Sequence, residues 1–368
     1  MTSHRTTTTP TARPRRVLFN KNFSVTAAQI TALEGSGFEV WASHTDAGHG
    51  TLAAAPHTFL EPRGLIGDEY ADWLRRACQE RGIDALIPGK ERELLARHAP
   101  AFAQVGTAVL APASEDTQRL LERKDEFLRG WDASVLPIPR WTTFDSLASF
   151  DAAWDALSES GVRLCVKPAR GIYASGFRVL TPEPDLGSFL KGELYQMSHA
   201  AAREMFAAPG LPTMLLMHTL EGAERSVDCV AWQGRLIRAV VRRKGPDGQR
   251  IEDRPDLVHA AEQIAQTYGL SGIFNFQTKD QSRPGDPARV ANMLEINARA
   301  SGGLRYSMAA GVNFPLLLLR AWEGALDWDA LPPVQTGLNV AEDKVVRVVP
   351  QEVSPQEVVQ EEVLQELA

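Results

Sequence analysis

The stretch that most constrains this chain is LEINARASGG, residues 294–303. In a β-strand alternate residues share a face, so Glu295, Asn297 and Arg299 project together while Leu294 and Ile296 turn towards a core. A strand with that pattern is one wall of a polar site. Gln277 lies near the end of the preceding strand, FNFQTKD, and antiparallel pairing brings it beside Glu295. One carboxylate and two amide oxygens are hard donors, suited to a magnesium ion that phosphates also hold. Arg299 beside them is placed to meet an anion. A strand-end salt bridge on a solvated face accounts for the triplet alone equally well.

The flanking segments set the architecture. RVLF at 16–19, EVWAS within 35–43 and IDALIPG at 83–89 read as strands, with helices over about 24–34 and across DEYADWLRRACQERG. Strands alternating with helices predict a parallel, doubly wound sheet over 16–112. GSGFEV is not a dinucleotide fingerprint, because it precedes a strand and lacks the third glycine. His44 and His49 read as solvated loop residues. PASEDTQRLLERKDEFLRGW predicts one helix with Ser114 as N-cap and acids in its first turn. Beyond the Pro137/Pro139 connector, VRLCVKPARGIYASGFRVL reads as strand, glycine-bearing loop and strand. A helical region over about 186–207 follows. TMLLMHTLEGAERSVDCVAWQGRLIRAVVRRKG then reads as strands joined at Glu221-Gly222 and at Gln233-Gly234. A helix over about 255–268 precedes two strands linked by QSRPGDP.

Charge and cysteine usage exclude several classes. The 368 residues carry a net charge of −7, which argues against a general nucleic-acid binder. From Ala341 onward seven acids face two bases, so the rest of the chain is close to neutral. The most apolar run, FPLLLLRAW, is interrupted by Arg320 and falls well short of the ~18 residues of a membrane span. Cys78, Cys165 and Cys229 are widely spaced and form no CxxC pair, which predicts free thiols in a reducing cytoplasm. Residues 1–15 are Thr-rich and basic without an apolar run, predicting a disordered leader and not a secretory signal. SPQEVVQEEVLQELA is an acidic, weakly amphipathic helix candidate or a solvated tail.

VKPARGIYASG places Lys167 at a strand end and Gly171, Ser175 and Gly176 in the following loop. Small residues there let backbone N–H groups approach a polyphosphate, with the lysine as a point charge. No GxxxxGK[ST] occurs, so the P-loop solution is absent. Lys124, alone, is an ordinary helical lysine. Taken in order, Lys124, the VKP lysine with its glycine loop, the hinge MLLMHTLEGAERSVDCVA, the Gln277…Glu295-x-Asn297-x-Arg299 set and SGGLRYSMAAGVNFP resemble the ATP-grasp superfamily over roughly 113–320. The preceding α/β part is similar to the domain before the grasp in carboxylate–amine ligases. More narrowly, the pattern resembles the ATP-grasp proteins encoded beside tellurium-resistance-type operons.

That resemblance implies a doubly wound N-terminal domain (16–112), then a two-subdomain grasp of antiparallel α+β sheets (113–213 and 214–330) with a glycine-loop lid, and an acidic tail (331–368). It implies ATP as the nucleotide, bound by Lys124, Lys167, Gly171, Ser175 and Gly176. The backbone of His218 and Leu220 would meet the adenine edge, and Glu224 the ribose. It implies one or two Mg²⁺ ions, or Mn²⁺ in their place, on Gln277, Glu295 and Asn297. Gln277 stands where aspartate is more usual, as in the carbamoyl-phosphate-synthetase-like branch, so the second metal has fewer charges. Met217 and His218 likewise replace the acidic pair element that many members carry in the hinge. Arg299 would stabilise the transferring group. Arg242, with Arg243 and Lys244, and Arg305 form a second cationic group that either binds γ-phosphate or a substrate carboxylate, or is only a basic hairpin surface. The implied activity is ligation of a small-molecule carboxylate to an amine through an acyl phosphate, by a cytoplasmic enzyme of dimeric habit without nucleic-acid or membrane partners. A kinase-like phosphotransferase and a non-catalytic ATP-binding module are the alternatives.

Overall fold

A computed structural model describes residues 13–158, 162–171, 175–183, 185–192, 195–281 and 290–342. The first twelve leader residues, the QSRPGDP turn beyond Gln281 and the acidic helix candidate lie outside them.

The first sheet comprises β1 (Arg16–Phe19), β2 (Glu39–His44), β3 (His57–Leu60), β4 (Ala85–Ile87) and β5 (Ala108–Val109). It runs in the order β3-β2-β1-β4-β5, with every pair parallel. This is the doubly wound domain anticipated above. β3 was not anticipated, since its sequence HTFL is largely exposed and carries no apolar run.

The second sheet comprises β6 (Trp141–Phe144), β7 (Leu164–Pro168), β8 (Arg178–Thr181), β9 (Gln196–Ser198) and β10 (Met214–His218), in the order β6-β10-β7-β8-β9. All its pairs are antiparallel except β8 with β9. Here β9 breaks the helical region expected at 186–207 into helices Leu186–Leu190 and His199–Phe206. Ser198 ends the strand and caps the second helix, its hydroxyl accepting from the Ala201 amide at 3.2 Å. Phe144, Phe150 and Phe206 pack beneath this sheet. Each such fully buried side chain stabilises the fold by about 1.5–3 kcal/mol.

The third sheet is antiparallel and comprises β11 (Glu224–Trp232), β12 (Arg235–Gly245), β13 (Gly248–Glu252), β14 (Gly272–Asp280), β15 (Ala291–Asn297) and β16 (Asn339–Val340). Its order is β15-β14-β11-β12-β13-β16. Gln233 and Gly234 turn the β11–β12 hairpin with φ of 50° and 79°, the doubly left-handed conformation of a tight hairpin turn. Residues 331–342, assigned to the tail from sequence, include β16, and Leu331, Val334 and Leu338 pack on the core. One face of the sheet packs on helix Pro255–Thr267. The other shares a core with the N-terminal domain: Val17 and Phe19 of β1 join Val230, Val240 and Leu318 in one cluster. That shared core holds one face of the parallel sheet against the antiparallel grasp. Among the described residues no helix is long and apolar enough to cross a membrane.

Candidate active site

Two clefts meet between the sheets. The first, about 380 Å³, lies between β7, β8 and β10 of the second sheet and β11, β14 and β15 of the third. Its apolar floor follows from cross-strand register. Cys165 pairs with Met217 on one side and Val179 on the other, and all three line the cleft. Leu220 and Leu294 add apolar surface. Such a slot suits a flat, partly apolar ring. Two residues along β7 from Cys165, on the same face, Lys167 enters the polar end.

Lys124 reaches that end because the expected single helix is two. The chain leaves helical geometry at Arg123 (φ −96°, ψ 91°) between helices Glu115–Glu122 and Lys124–Gly130. Ser114 does cap the first, accepting from the Thr117 amide at 3.2 Å. The break frees the Lys124 amide to donate to the Ala169 carbonyl at 2.9 Å. The lysine's Nζ then donates to the Gly171 carbonyl at 2.7 Å and lies 3.6 Å from Glu295 Oε2.

Glu295 sits at a β-bulge. Register runs Gln277↔Glu295 and then Thr278↔Met293, so Leu294 is the extra residue. A bulge reverses which face the following residues take. Ala291 and Met293 before it, and Ile296 and Ala298 after it, all enter the core, while Leu294 and Glu295 both face the cleft. The expectation that Leu294 faces the core is therefore corrected.

Burial pushes the Glu295 carboxyl up, but Lys124, the Asn297 amide, Lys167 and Arg299 outweigh it and hold the group below the usual carboxylate range. Burial likewise lowers the Lys167 ammonium pKa, with Glu295 opposing. Asn297 donates its Nδ2 to Glu295 Oε1 at 3.1 Å, which leaves its own oxygen available as an acceptor. Asn275 donates to the Arg299 carbonyl at 2.9 Å and so fixes the chain after β15.

The second cleft, about 440 Å³, lies between the parallel sheet's loops and the outer side of β15. Asn297 and Arg299 line it, Gln277 lines the first, and Glu295 lines both, together with Lys124 and Gly171. The polar triplet thus spans the junction of two clefts instead of facing one.

The remaining expected residues divide. Ser175, His218, Leu220 and Glu224 line the first cleft. The His218 amide is committed to the Arg140 carbonyl at 2.9 Å, whereas the Leu220 amide has no partner among the described residues. Glu224 pairs with Lys244. Gly176 has φ of 73°, and a Cβ there would meet Pro168 Cγ at 2.7 Å, so this position requires glycine. Residues 172–174 of the loop lie outside the described residues.

Arg242 and Arg305 line neither cleft, a correction to the cationic group expected there. Arg242 is 1% exposed and all three of its nitrogens are engaged. Nε donates to Asp228 at 2.7 Å, one terminal nitrogen to Gln249 and the other to Ser301 at 2.9 Å. Arg243 turns to Glu252, and Arg305 pairs with Glu342. The reason is strand geometry: neighbours on β12 point to opposite faces, and each cation finds a carboxylate on a distant segment. Sequence reasoning missed Arg163, Phe177, Val179, Lys279 and Cys165 in the first cleft. Cys165 and Lys279 had a signal, each being two residues from an expected site residue, Lys167 and Gln277, on one strand.

Comparison with known proteins agrees with this arrangement. Residues 210–346 match the family model described as "ATP-grasp in the biosynthetic pathway with Ter operon". The chain is 25% identical over 246 residues to the arginine-specific large chain of carbamoyl phosphate synthase from Eremothecium gossypii. That match covers 62% of this chain but 20% of the relative, and the same large chain from Cutaneotrichosporon cutaneum is covered to 17%. Among solved structures, L-amino acid ligase from Bacillus licheniformis superposes with a TM-score of 0.56 at 16% identity, covering 88% of this chain and 78% of the ligase. Biotin carboxylase from Campylobacter jejuni gives 0.62 at 15%, covering 88% and 73%. With the sheet order, the cleft between the two antiparallel sheets and the lysine–glutamate wall, these matches show that the chain shares the fold of these ligases and carboxylases, and that residues 210–346 are similar to the ATP-grasp family of the Ter operon.

Proposed function

We propose that this chain is an ATP-dependent ligase that activates a small-molecule carboxylate as an acyl phosphate and joins it to an amine. The observation that carries the reading is the junction at Lys124, Gly171 and Glu295, where a slot shaped for a nucleotide opens onto a second, cationic cleft. Similar proteins named as an amino acid ligase, a biotin carboxylase and a carbamoyl phosphate synthase support it.

In this reading the adenine lies on Cys165, Met217 and Val179, its edge meeting the Leu220 amide, and Glu224 takes the ribose hydroxyls. Lys124 and Lys167 neutralise phosphate oxygens from one side. The donor set fits Mg²⁺: an ionised Glu295, the free oxygen of Asn297 and the Gln277 amide are hard oxygen ligands. Among the described residues no three His, Cys, Asp or Glu side chains converge, which suits an ion that arrives largely ligated by phosphate. When bound, that ion would supply charge neutralisation on the β- and γ-phosphates. A substrate carboxylate in the second cleft attacks the γ-phosphorus in line. The bond to the β,γ-bridging oxygen breaks, and ADP departs with the electron pair. Arg299 stabilises the charge moving onto the transferred group. The amine then attacks the acyl carbon, phosphate leaves and takes up the amine's proton, and the amide remains. Catalysis is mostly positioning and charge neutralisation.

The test is an ADP-release screen over amino acids and other small acids with Mg²⁺, with hydroxylamine present to trap the activated acid. ADP, phosphate and an acyl hydroxamate together support the reading. AMP and pyrophosphate contradict it, and a phosphorylated product without hydroxamate would favour phosphotransfer. On the same reading the enzyme is cytoplasmic and dimeric, which light scattering of the purified protein checks for assembly.

A further inference from the structure

The second cleft carries charge that the proposed reaction does not use. Apart from Lys124, Glu295 and Arg299, which the reaction employs, its charged lining is Lys90, Arg92 and Arg170 against Glu91 and Glu122. Both carboxylates are already engaged. Glu122 accepts from Arg92 at 3.1 Å and from Arg170 at 3.3 Å, and Glu91 lies 3.9 Å from Lys21. Lys90 has no carboxylate partner among the described residues, and its Nζ stands 5.3 Å from the Phe23 ring. Arg92 is largely buried, and its Nε has no hydrogen-bond partner in the described structure. Lys90 without a carboxylate, beside Arg92 with a buried, unpartnered Nε, leaves this wall of the cleft with cationic donors that lack an anion, a costly arrangement.

The backbone beneath these residues is built to hold them. Gly89 passes so close to the loop after β1 that a Cβ would meet the Lys21 carbonyl oxygen at 2.6 Å. Its amide donates to Asn20 Oδ1 at 2.7 Å, and the Lys90 amide donates to the Lys21 carbonyl at 2.9 Å. Glu91 then takes a left-handed conformation, φ 59°, which is strained for a residue with a side chain. The turn presents Lys90 and Arg92 into the cleft from the C-terminal edge of the parallel sheet, beside its topological switch point between β1 and β4. The site is preorganised for an anion.

We infer that the acid substrate carries a second anionic group, carboxylate or phosphate, held by Lys90 and Arg92 of the N-terminal domain while its reacting carboxylate lies beside Arg299. This inference rests on the ligase reading and narrows its substrate class to dianionic acids. Lys90 and Arg92 are then specificity residues, remote from the phosphoryl transfer.

The experiment is calorimetric binding of matched probes to the full chain held with Mg²⁺ and a non-hydrolysable ATP analogue. The pairs are succinate with butyrate, L-glutamate with L-glutamine, and O-phospho-L-serine with L-serine. At least one dianion should bind roughly tenfold or more tightly than its partner. The phosphoserine pair separates a phosphate site from a dicarboxylate site. Lys90→Ala, at an exposed position, and Arg92→Gln should each erode the preference while analogue affinity is unchanged. Equal binding within every pair, no binding by any dianion, or a preference that survives Lys90→Ala and Arg92→Gln combined would overturn the inference. Analogue binding without dianion preference refutes this inference alone. Failure to bind the analogue refutes the ligase reading itself.

Discussion

Replacing Glu295 by glutamine removes one negative charge from the junction and changes little else in shape. Lys124 Nζ is 3.6 Å from the carboxylate. At an effective dielectric near 20 that pair is worth about 4–5 kcal/mol of Coulomb energy. Relief of the burial cost returns part of this, and the Gly171 carbonyl still accepts from Lys124. We therefore expect a net stability loss of about 1–3 kcal/mol, read by urea unfolding. The catalytic effect should be larger. Lys124 and Lys167 would face phosphate without the carboxylate that balances them, and the one charged oxygen donor of the set would be gone. Turnover, followed as ADP release, should fall ~10³-fold or more, about 4 kcal/mol of transition-state stabilisation. Calorimetry should show Mg²⁺-dependent nucleotide binding lost before nucleotide binding itself. A folded Glu295→Gln protein with activity within tenfold of the parent would refute the reasoning about this junction.

Three further outcomes follow from the geometry. Arg242→Met strands Asp228, which is fully buried, and should cost about 3–5 kcal/mol in denaturant unfolding; a loss under ~1 kcal/mol would mean the network is not structural. Because the bulge turns Leu294 to the cleft and Ile296 to the core, Leu294→Ala should raise the KM for ATP with about 1 kcal/mol or less of destabilisation. Ile296→Ala should cost about 2–5 kcal/mol, and the reverse pattern would remove the bulge assignment. Burial lowers the folded-state pKa of Lys167, so its ammonium is lost at a lower pH than that of an ordinary lysine. The charged form is the one that meets phosphate, so kcat/KM for ATP should fall as pH rises through that lowered value. Lys167→Arg should move the alkaline limb upward, and an unmoved limb would assign it to another group.

Much of the architecture is legible locally. Strand–helix alternation announces the parallel sheet through β1, β2 and β4 but not its edge strands β3 and β5, Ser114 announces a capped helix, and Gln233-Gly234 announces the hairpin turn. Lys167 and Glu295 stand out because alternation puts charge on strands that otherwise read as core. What local reading misses depends on distant segments. The bulge at Leu294 is a mismatch between two strands and has no residue of its own to mark it. The helix break at Arg123 exists because the Ala169 carbonyl offers a partner for the Lys124 amide. VVRRKG looks like one basic patch until β11 supplies Asp228, β13 supplies Glu252, and each takes a different arginine. The same holds for Arg305, whose partner Glu342 lies 37 residues on.

The central claim is that a substrate carboxylate, and not water or the amine, takes the γ-phosphoryl group. Once the screen supplies an acid, turning it over with both carboxylate oxygens labelled with ¹⁸O tests this most directly. Mass spectrometry of the released phosphate should find one labelled oxygen per phosphate, transferred through the acyl phosphate, with the other retained in the amide. Unlabelled phosphate, or label carried into AMP, would contradict the account.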